Sequence, residues 1–320
     1  MSQAASSTVR RGRTAWAWIR QVAPWGLAVV VVTLLAYEAR SVDWGAVGTA
    51  LRQVRAPTLA AAAALTLFSH ALFSSFDLVG RHQTGHRVSL PRTLGIAAVC
   101  YAFNLNFGSL VSAFAVKLRL YARAGVRPEQ VAHVIALSLL TNWLGHLLLA
   151  GAILLIAPPP WPAWIALPDT AANALGAALL AAVALYGLWC ARRRGRAHRW
   201  RRLHFAPPGL PVALWQVAVA TANWALMALI VWILFERALP YASVAGVLLL
   251  AAVAGVVTHV PAGLGVLEAV FLSCLGGAMP QAGVLAALLC YRAVYYLAPL
   301  ALASAGYAWM EWTARESRRV

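Results

Sequence analysis

Acidic residues are scarce in this sequence. Nine Asp and Glu stand against 26 Lys and Arg in 320 residues, and charged residues of both signs make up only 11%. A soluble domain carries roughly 25% charged and 45–50% apolar residues, whereas 62% are apolar here. So few polar groups cannot cover a water-soluble globule, and that class is excluded. Cysteine is sparse too. Cys100, Cys190, Cys274 and Cys290 are scattered through apolar stretches without a Cys-x-x-Cys pair, so they read as small buried hydrophobes. The histidines show no convergent ligand spacing, and no metal is expected. Gly263-Leu264-Gly265 is a Gly-x-Gly inside an apolar segment, not a phosphate-cradling turn, so no nucleotide or other cofactor is expected. Basic motifs interleaved with aromatics are lacking, which removes nucleic acid as a partner. Nothing in the spacing of Ser, Cys, His and Asp points to a nucleophile system, and the chain is read as a non-enzyme.

What is present is long apolar runs. They fall at 22–39, 58–80, 93–116, 130–157, 170–190, 211–235, 243–277 and 282–308. At about 20 residues per span they describe a polytopic all-α membrane protein. The N-terminus resembles a secretory signal, with Arg10, Arg11, Arg13 and Arg20 before an apolar run. No convincing small-residue cleavage site follows, so an uncleaved first helix is the better reading. Two runs differ from the rest. The run 93–116 holds Asn104, Asn106, Gly108, Ser109 and Ser112 near its middle. The run 243–277 is interrupted by His259-Val260-Pro261-Ala262-Gly263-Leu264-Gly265 and resumes with Glu268. Proline removes a helix donor and glycine loosens the turn, so both are expected to unwind at mid-membrane.

Charge counting decides whether these two runs cross. If both are re-entrant, the loops on the N-terminal side hold 21 Lys and Arg and the opposite loops hold four. If both cross, the counts become 11 and 14. Only the re-entrant arrangement obeys the positive-inside rule. It gives about six full spans and two re-entrant segments in one integral membrane domain, 1–320. That domain comprises a basic cytoplasmic segment 1–21, a bundle 22–308 and a cytoplasmic tail 309–320. The run triplets 58–157 and 211–308 then have opposite orientation, the inverted-repeat plan of many secondary transporters. The plainest internal echo, Thr141-Asn142-Trp143 against Ala222-Asn223-Trp224, falls on helices that are not equivalent in such a repeat.

An ionisable side chain at membrane depth costs about 2.5–3.5 kcal/mol on insertion scales, so each is a functional candidate. Glu268 follows the Pro261 break at the start of a half-helix, and Arg292 lies inside the last run; the two are expected to pair. The pair reads either as a tie holding the break or as part of a cavity that receives a charged headgroup, with Arg292 facing phosphate. Asp77, Lys117 and Arg119 form a similar set near the inner end of the first half. The alternative for these three is snorkelling to cytoplasmic water. Asn142 with His146, Asn223 and His259 lie at depth and suit interhelical hydrogen bonding. The basic run Arg192 to Arg202, with Trp200 in it, fixes topology and suits anionic headgroups.

Several of these stretches resemble a known family. Tyr101-Ala102-Phe103-Asn104-Leu105, Lys117-Leu118-Arg119-Leu120-Tyr121 and Thr141-Asn142-Trp143-Leu144-Gly145 are similar to the YbhN-like bacterial inner-membrane proteins. So is His259 to Phe271, with its Pro-Ala-Gly-x-Gly-x-x-Glu element, followed by Tyr291-Arg292. These proteins belong to the lysylphosphatidylglycerol synthase transmembrane (flippase) region family. The resemblance implies movement of anionic phospholipid, a phosphatidylglycerol derivative or cardiolipin, across or along a bacterial inner membrane. The path would involve Glu268, Arg292, Asp77, Lys117, Arg119, Asn104, Asn142, His259, Pro261, Gly263 and Gly265. The chain departs from the family in having Ser112, Ala113 and Ala115 where glycines are usual, which favours Glu268 and Arg292 over Lys117. Without a soluble synthase domain, aminoacylation of lipid is not expected. A membrane-embedded enzyme using Glu268 or His259 as base, or a scaffold for a lipid synthase, is the alternative. Homo-oligomer and lipid-synthase partners both stay open.

Overall fold

The computed structural model describes residues 43–107, 114–162, 165, 167–193, 198–200, 203–205 and 207–316. The expected span 22–39, the segment 1–21 and the Gly108, Ser109, Ser112 and Ala113 positions of the first break lie outside these. So do parts of the basic run and the last four residues of the tail. Six described helices are long and apolar enough to cross a membrane: Ala56–Thr84, Pro128–Ile156, Asp169–Arg192, Leu210–Leu234, Tyr241–Thr258 and Gln281–Trp309. Apart from a short hairpin the described secondary structure is helical, and the protein is a polytopic all-α membrane protein.

Helix α1 (Trp44–Gln53) is capped by Asp43, whose Oδ1 accepts from the Ala46 amide at 2.9 Å. Helices α2 (Ala56–Ser74) and α3 (Phe76–Thr84) form one span jointed at Ser75. Ser74 and Ser75 hydroxyls bond back to the His70 and Leu72 carbonyls there, a substitution for backbone bonding that bends helices. Helices α4 (Leu90–Phe107) and α5 (Phe114–Arg123) flank the first break, and α6 (Pro128–Ile156) follows. Helix α7 (Asp169–Arg193) leads into strands β1 (His198–Trp200) and β2 (Leu203–Phe205), an antiparallel hairpin. Helix α8 (Leu210–Leu234) precedes α9 (Tyr241–Thr258), a 3-10 turn at Pro261–Gly263 and α10 (Val266–Leu275). Helix α11 (Gln281–Tyr291) continues through a π-helical stretch, Arg292–Leu297, into α12 (Ala298–Glu316). Proline opens α2, α6 and α8, where its missing N–H costs no hydrogen bond. Leu67, Phe68, Leu139, Leu185 and Leu302 are exposed on the outside of the bundle, as suits lipid contact.

Contacts fix the relative directions of α2, α6 and α8. Helices α2 and α8 run antiparallel, joined by Arg55–Glu236 at one end and Ser69–Asn223 midway. Helices α6 and α8 run parallel, through Gln216–Thr141 and through Gly145 against Ala220. A Cβ at Gly145 would strike the Ala220 backbone, so the absent side chain is what lets these helices touch.

Both broken segments return to the end they left. Gln130 Nε2 donates to the Thr84 carbonyl at 3.1 Å, so the chain before α4 and after α5 meets at one end. Phe235 and Phe271 rings pack 5.8 Å apart, and Phe235, Leu275 and Val284 share one buried cluster at the opposite end. The arms have matched lengths, 18 and 10 residues in the first hairpin and 18 and 10 in the second. Thus α2–α6 and α8–α12 are two span–hairpin–span units of opposite direction. The arms are unequal because each break comes late in its segment, where the expected windows placed it centrally. In the second hairpin the chain unwinds at Pro261, after α9 has run its full length. The breaks nevertheless reach mid-span of the last helix: α4 packs on the Pro261–Gly263 turn, and Asn106 Nδ2 donates to the Tyr296 carbonyl at 3.1 Å.

Candidate functional site

Among the described residues two ion pairs sit inside the bundle, one per hairpin. In the first, Lys117 Nζ on α5 donates to Asp77 Oδ1 at 2.6 Å. Ser138 Oγ of α6 donates to the same oxygen at 2.7 Å, and Tyr121 Oη donates to Oδ2 at 2.9 Å. Asp77 is 1% exposed and Lys117 9%. Snorkelling is therefore overturned for these two, because the re-entrant hairpin covers them with α5 and α6. Arg119, two residues on, is exposed. His86 lies edge-on to the Tyr121 ring at 5.4 Å with neither ring nitrogen bonded. Burial, reinforced by Arg81, lowers its pKa below the usual histidine value, so it sits neutral in the loop between α3 and α4.

The second pair is the one expected from the last two runs. Arg292 Nε meets Glu268 Oε1 at 2.5 Å and Nη2 meets Oε2 at 2.9 Å, a bidentate fork. The remaining donors close on the break itself: Nη1 reaches the Ala262 carbonyl at 3.1 Å and Nη2 the Gly263 carbonyl at 2.9 Å. The Tyr296 ring lies 5.5 Å from the guanidinium carbon. These bonds offset a backbone that L-residues avoid, since His259, Ala262, Gly263 and Gly265 all have positive φ, 55–73°. Pro261 begins the turn and Gly265 caps α10. In lipid the freed carbonyls have no water to meet them, so Arg292 holds an otherwise unaffordable backbone.

Between the pairs lies a tyrosine-rich centre that the sequence reading missed. Tyr295 Oη bonds with Ser69 Oγ at 2.8 Å and Tyr101 Oη at 2.9 Å, and Ser69 Oγ donates to Asn223 Oδ1 at 2.7 Å. His70 packs against the Tyr101 and Tyr295 rings. The π-helical turn carries Tyr295 and Tyr296 into this centre, and such turns recur at functional positions. Its visible signals were the run Tyr291-Arg292-Ala293-Val294-Tyr295-Tyr296, Tyr101 in a family-like stretch and Asn223, expected to bond between helices. Ser69 and Ser138 carry none, and Tyr121 stood only as the end of the family-like stretch that begins at Lys117.

Other expected residues are dispersed. Asn104 is half-buried near the first break, with Oδ1 unpartnered. Asn142 meets α8 through its carbonyl, which accepts from Trp224 Nε1 at 3.0 Å. His259 is exposed, with Nδ1 2.9 Å from the Val257 carbonyl, and is not brought to Glu268. Among the described residues no group of three His, Cys, Asp or Glu converges on a metal position.

This arrangement matches a family model. Residues 23–303 fit the lysylphosphatidylglycerol synthase TM region. The chain belongs to that family. It is 34% identical over 304 residues to inner membrane protein YbhN of Escherichia coli (strain K12), covering 95% of this chain and 96% of that protein. It is 30% identical over 302 residues to the uncharacterized protein slr0712 of Synechocystis sp., covering 91% and 92%. The matched span takes in both hairpins and both ion pairs, so the lysylphosphatidylglycerol synthase TM region fold is present from the first described helix into α12. The protein is thus a multi-pass membrane protein of a family tied to phospholipid.

Proposed function

We propose that the protein carries anionic phospholipid headgroups, of a phosphatidylglycerol derivative or cardiolipin, across the hydrocarbon core of a bacterial inner membrane while the acyl chains stay in the bilayer. The observation that carries this reading is the meeting of two oppositely directed re-entrant hairpins at mid-span, one closed by a buried ion pair and the other by a half-buried one. Half-helix ends and freed carbonyls at that depth are how secondary transporters build a polar site without a continuous water channel. Both pairs are formed in this structure, and in this reading they are the closed form of the path. A headgroup phosphate competes with Glu268 for Arg292, and its entry frees the Ala262 and Gly263 carbonyls to move. No cofactor takes part, and the function is transport, with no bond made or broken in the lipid. Both termini lie in the cytoplasm, on the side of the 21 basic residues.

Labelled phosphatidylglycerol and cardiolipin in proteoliposomes test this reading. Wild-type protein moves label between leaflets, and Glu268→Gln, folded and inserted to the same extent, does not. Equal movement in both would reduce the Glu268–Arg292 pair to a structural tie. No movement of either lipid by well-folded protein, with a membrane potential and a pH gradient each applied, would turn the reading to an enzyme or a synthase scaffold.

A further inference from the structure

A slot of about 420 Å³ lies between α6, α7 and α9, within the usual range of roughly 300–1,000 Å³ for ligand cavities. Its α6 wall runs from Trp143 to Leu154, about 16 Å at 1.5 Å per residue, which matches one leaflet of a hydrocarbon core about 30 Å thick. Trp143 and Val253 mark the deep end, beside the middle of α6. Pro159, Trp161 and Gly246 mark the outer end, where the loop after α6 and the start of α9 meet. The lining is apolar save for one titratable group. His146, 4% exposed, lines the deep end between the Trp143 and Trp224 rings, and its Nδ1 has no hydrogen-bond partner. An apolar channel with an unpartnered imidazole nitrogen at its inner end, able to donate in one tautomer, fits an acyl ester: one acceptor, then a long hydrocarbon chain.

We propose that this slot seats one acyl chain of a glycerophospholipid whose headgroup is at mid-depth, the ester carbonyl accepting from the His146 imidazole and the chain tip lying by Trp161. The assignment rests on the transport reading, because a headgroup at mid-span is a lipid in passage. The location supports it: Trp224, against the His146 ring, follows Asn223, which joins the Ser69–Tyr295 centre. A lipid resting in its own leaflet would sit the other way round, with its ester by Trp161 and its chain tip by His146.

Photolabelling reads the orientation directly. The probe is phosphatidylglycerol with a diazirine on the terminal carbon of one acyl chain, in nanodiscs of phosphatidylcholine holding the full chain. Adducts are expected on Pro159, Trp161, Ile165 and Leu167 and on residues 246–250, and they fall about tenfold in Ala150→Phe, which fills the slot. Leu250→Phe fills it from the α9 wall should Ala150→Phe not fold. Wild type labels with the ester lipid about fivefold better than with the dialkyl ether analogue, and His146→Leu abolishes that preference while labelling continues. Adducts centred on Trp143 and Leu147 would overturn the orientation. Adducts spread evenly over Leu67, Phe68 and Leu185, or a preference unchanged in His146→Leu, would overturn the site. Labelling needs no transport, so transport loss with slot labelling intact sinks the transport reading alone. Even labelling with active transport sinks the slot alone.

Discussion

At the residue scale the two ion pairs carry different weights. Asp77 accepts from three side chains, Lys117, Tyr121 and Ser138, whereas Arg292 makes two of its four hydrogen bonds to backbone. Removing one member of a buried pair leaves an uncompensated charge, at a cost of about 3–5 kcal/mol, whereas replacing both with apolar residues is often neutral. Asp77→Leu or Lys117→Met alone is therefore expected to lower the unfolding midpoint in detergent sharply, and the double variant to recover most of it. Equal loss in the double variant would show that Ser138 and Tyr121 need the carboxylate for themselves. Glu268 and Arg292 were legible as charges alone in apolar runs. Asp77 and Lys117 were legible as candidates but not as a buried pair, because 40 residues separate them and a charge near a run's end looks solvated until the hairpin covers it.

At the scale of elements, small residues set the spacing. Gly145 on α6 lets the α8 backbone approach, and Gly80 on α3 does the same against Val134 of α6. In lipid there is no hydrophobic drive between helices, so close packing and hydrogen bonds hold them. Gly145→Leu would push α8 away and break Gln216–Thr141 and Trp224–Asn142 together. Loss of monodisperse protein on size exclusion is the expected outcome, with overpacking costing about 1–3 kcal/mol or more. Gly255, against which a Cβ meets nothing within 4 Å, is the control, and Gly255→Leu should elute as wild type. The broken segments themselves were readable from Pro261, Gly263 and the Asn104–Ser112 stretch. Their unequal arms were not, since where a helix stops depends on what receives its last carbonyls, and Arg292 arrives from a distant helix.

For the whole molecule, the two units of opposite direction place the α7–α8 hairpin and the α6–α7 loop at opposite ends. A single cysteine at position 199 in a Cys-free background is expected to react with an impermeant maleimide only from the cytoplasmic face. A cysteine at position 160 is expected to react only from the other face. The two faces exchanged would abolish the re-entrant reading of the first hairpin, since one further crossing before α6 inverts everything after it. Charge counting anticipated that both broken segments return to the end they left, because the positive-inside rule acts on loops, which are local in sequence.

What the sequence determined by itself follows from composition and local chemistry. Sixty-two per cent apolar residues in long runs dictate spanning helices, and proline with glycine at mid-run dictates a break, because backbone polar groups in lipid have no alternative partner. What only the tertiary structure decided is which groups answer those breaks and charges. Arg292 on the Ala262 and Gly263 carbonyls, Lys117 on Asp77 and the Tyr101–Tyr295–Ser69 centre join residues 29 to 226 positions apart. Such pairings are settled by where two hairpins meet in space, and no spacing along the chain encodes that meeting.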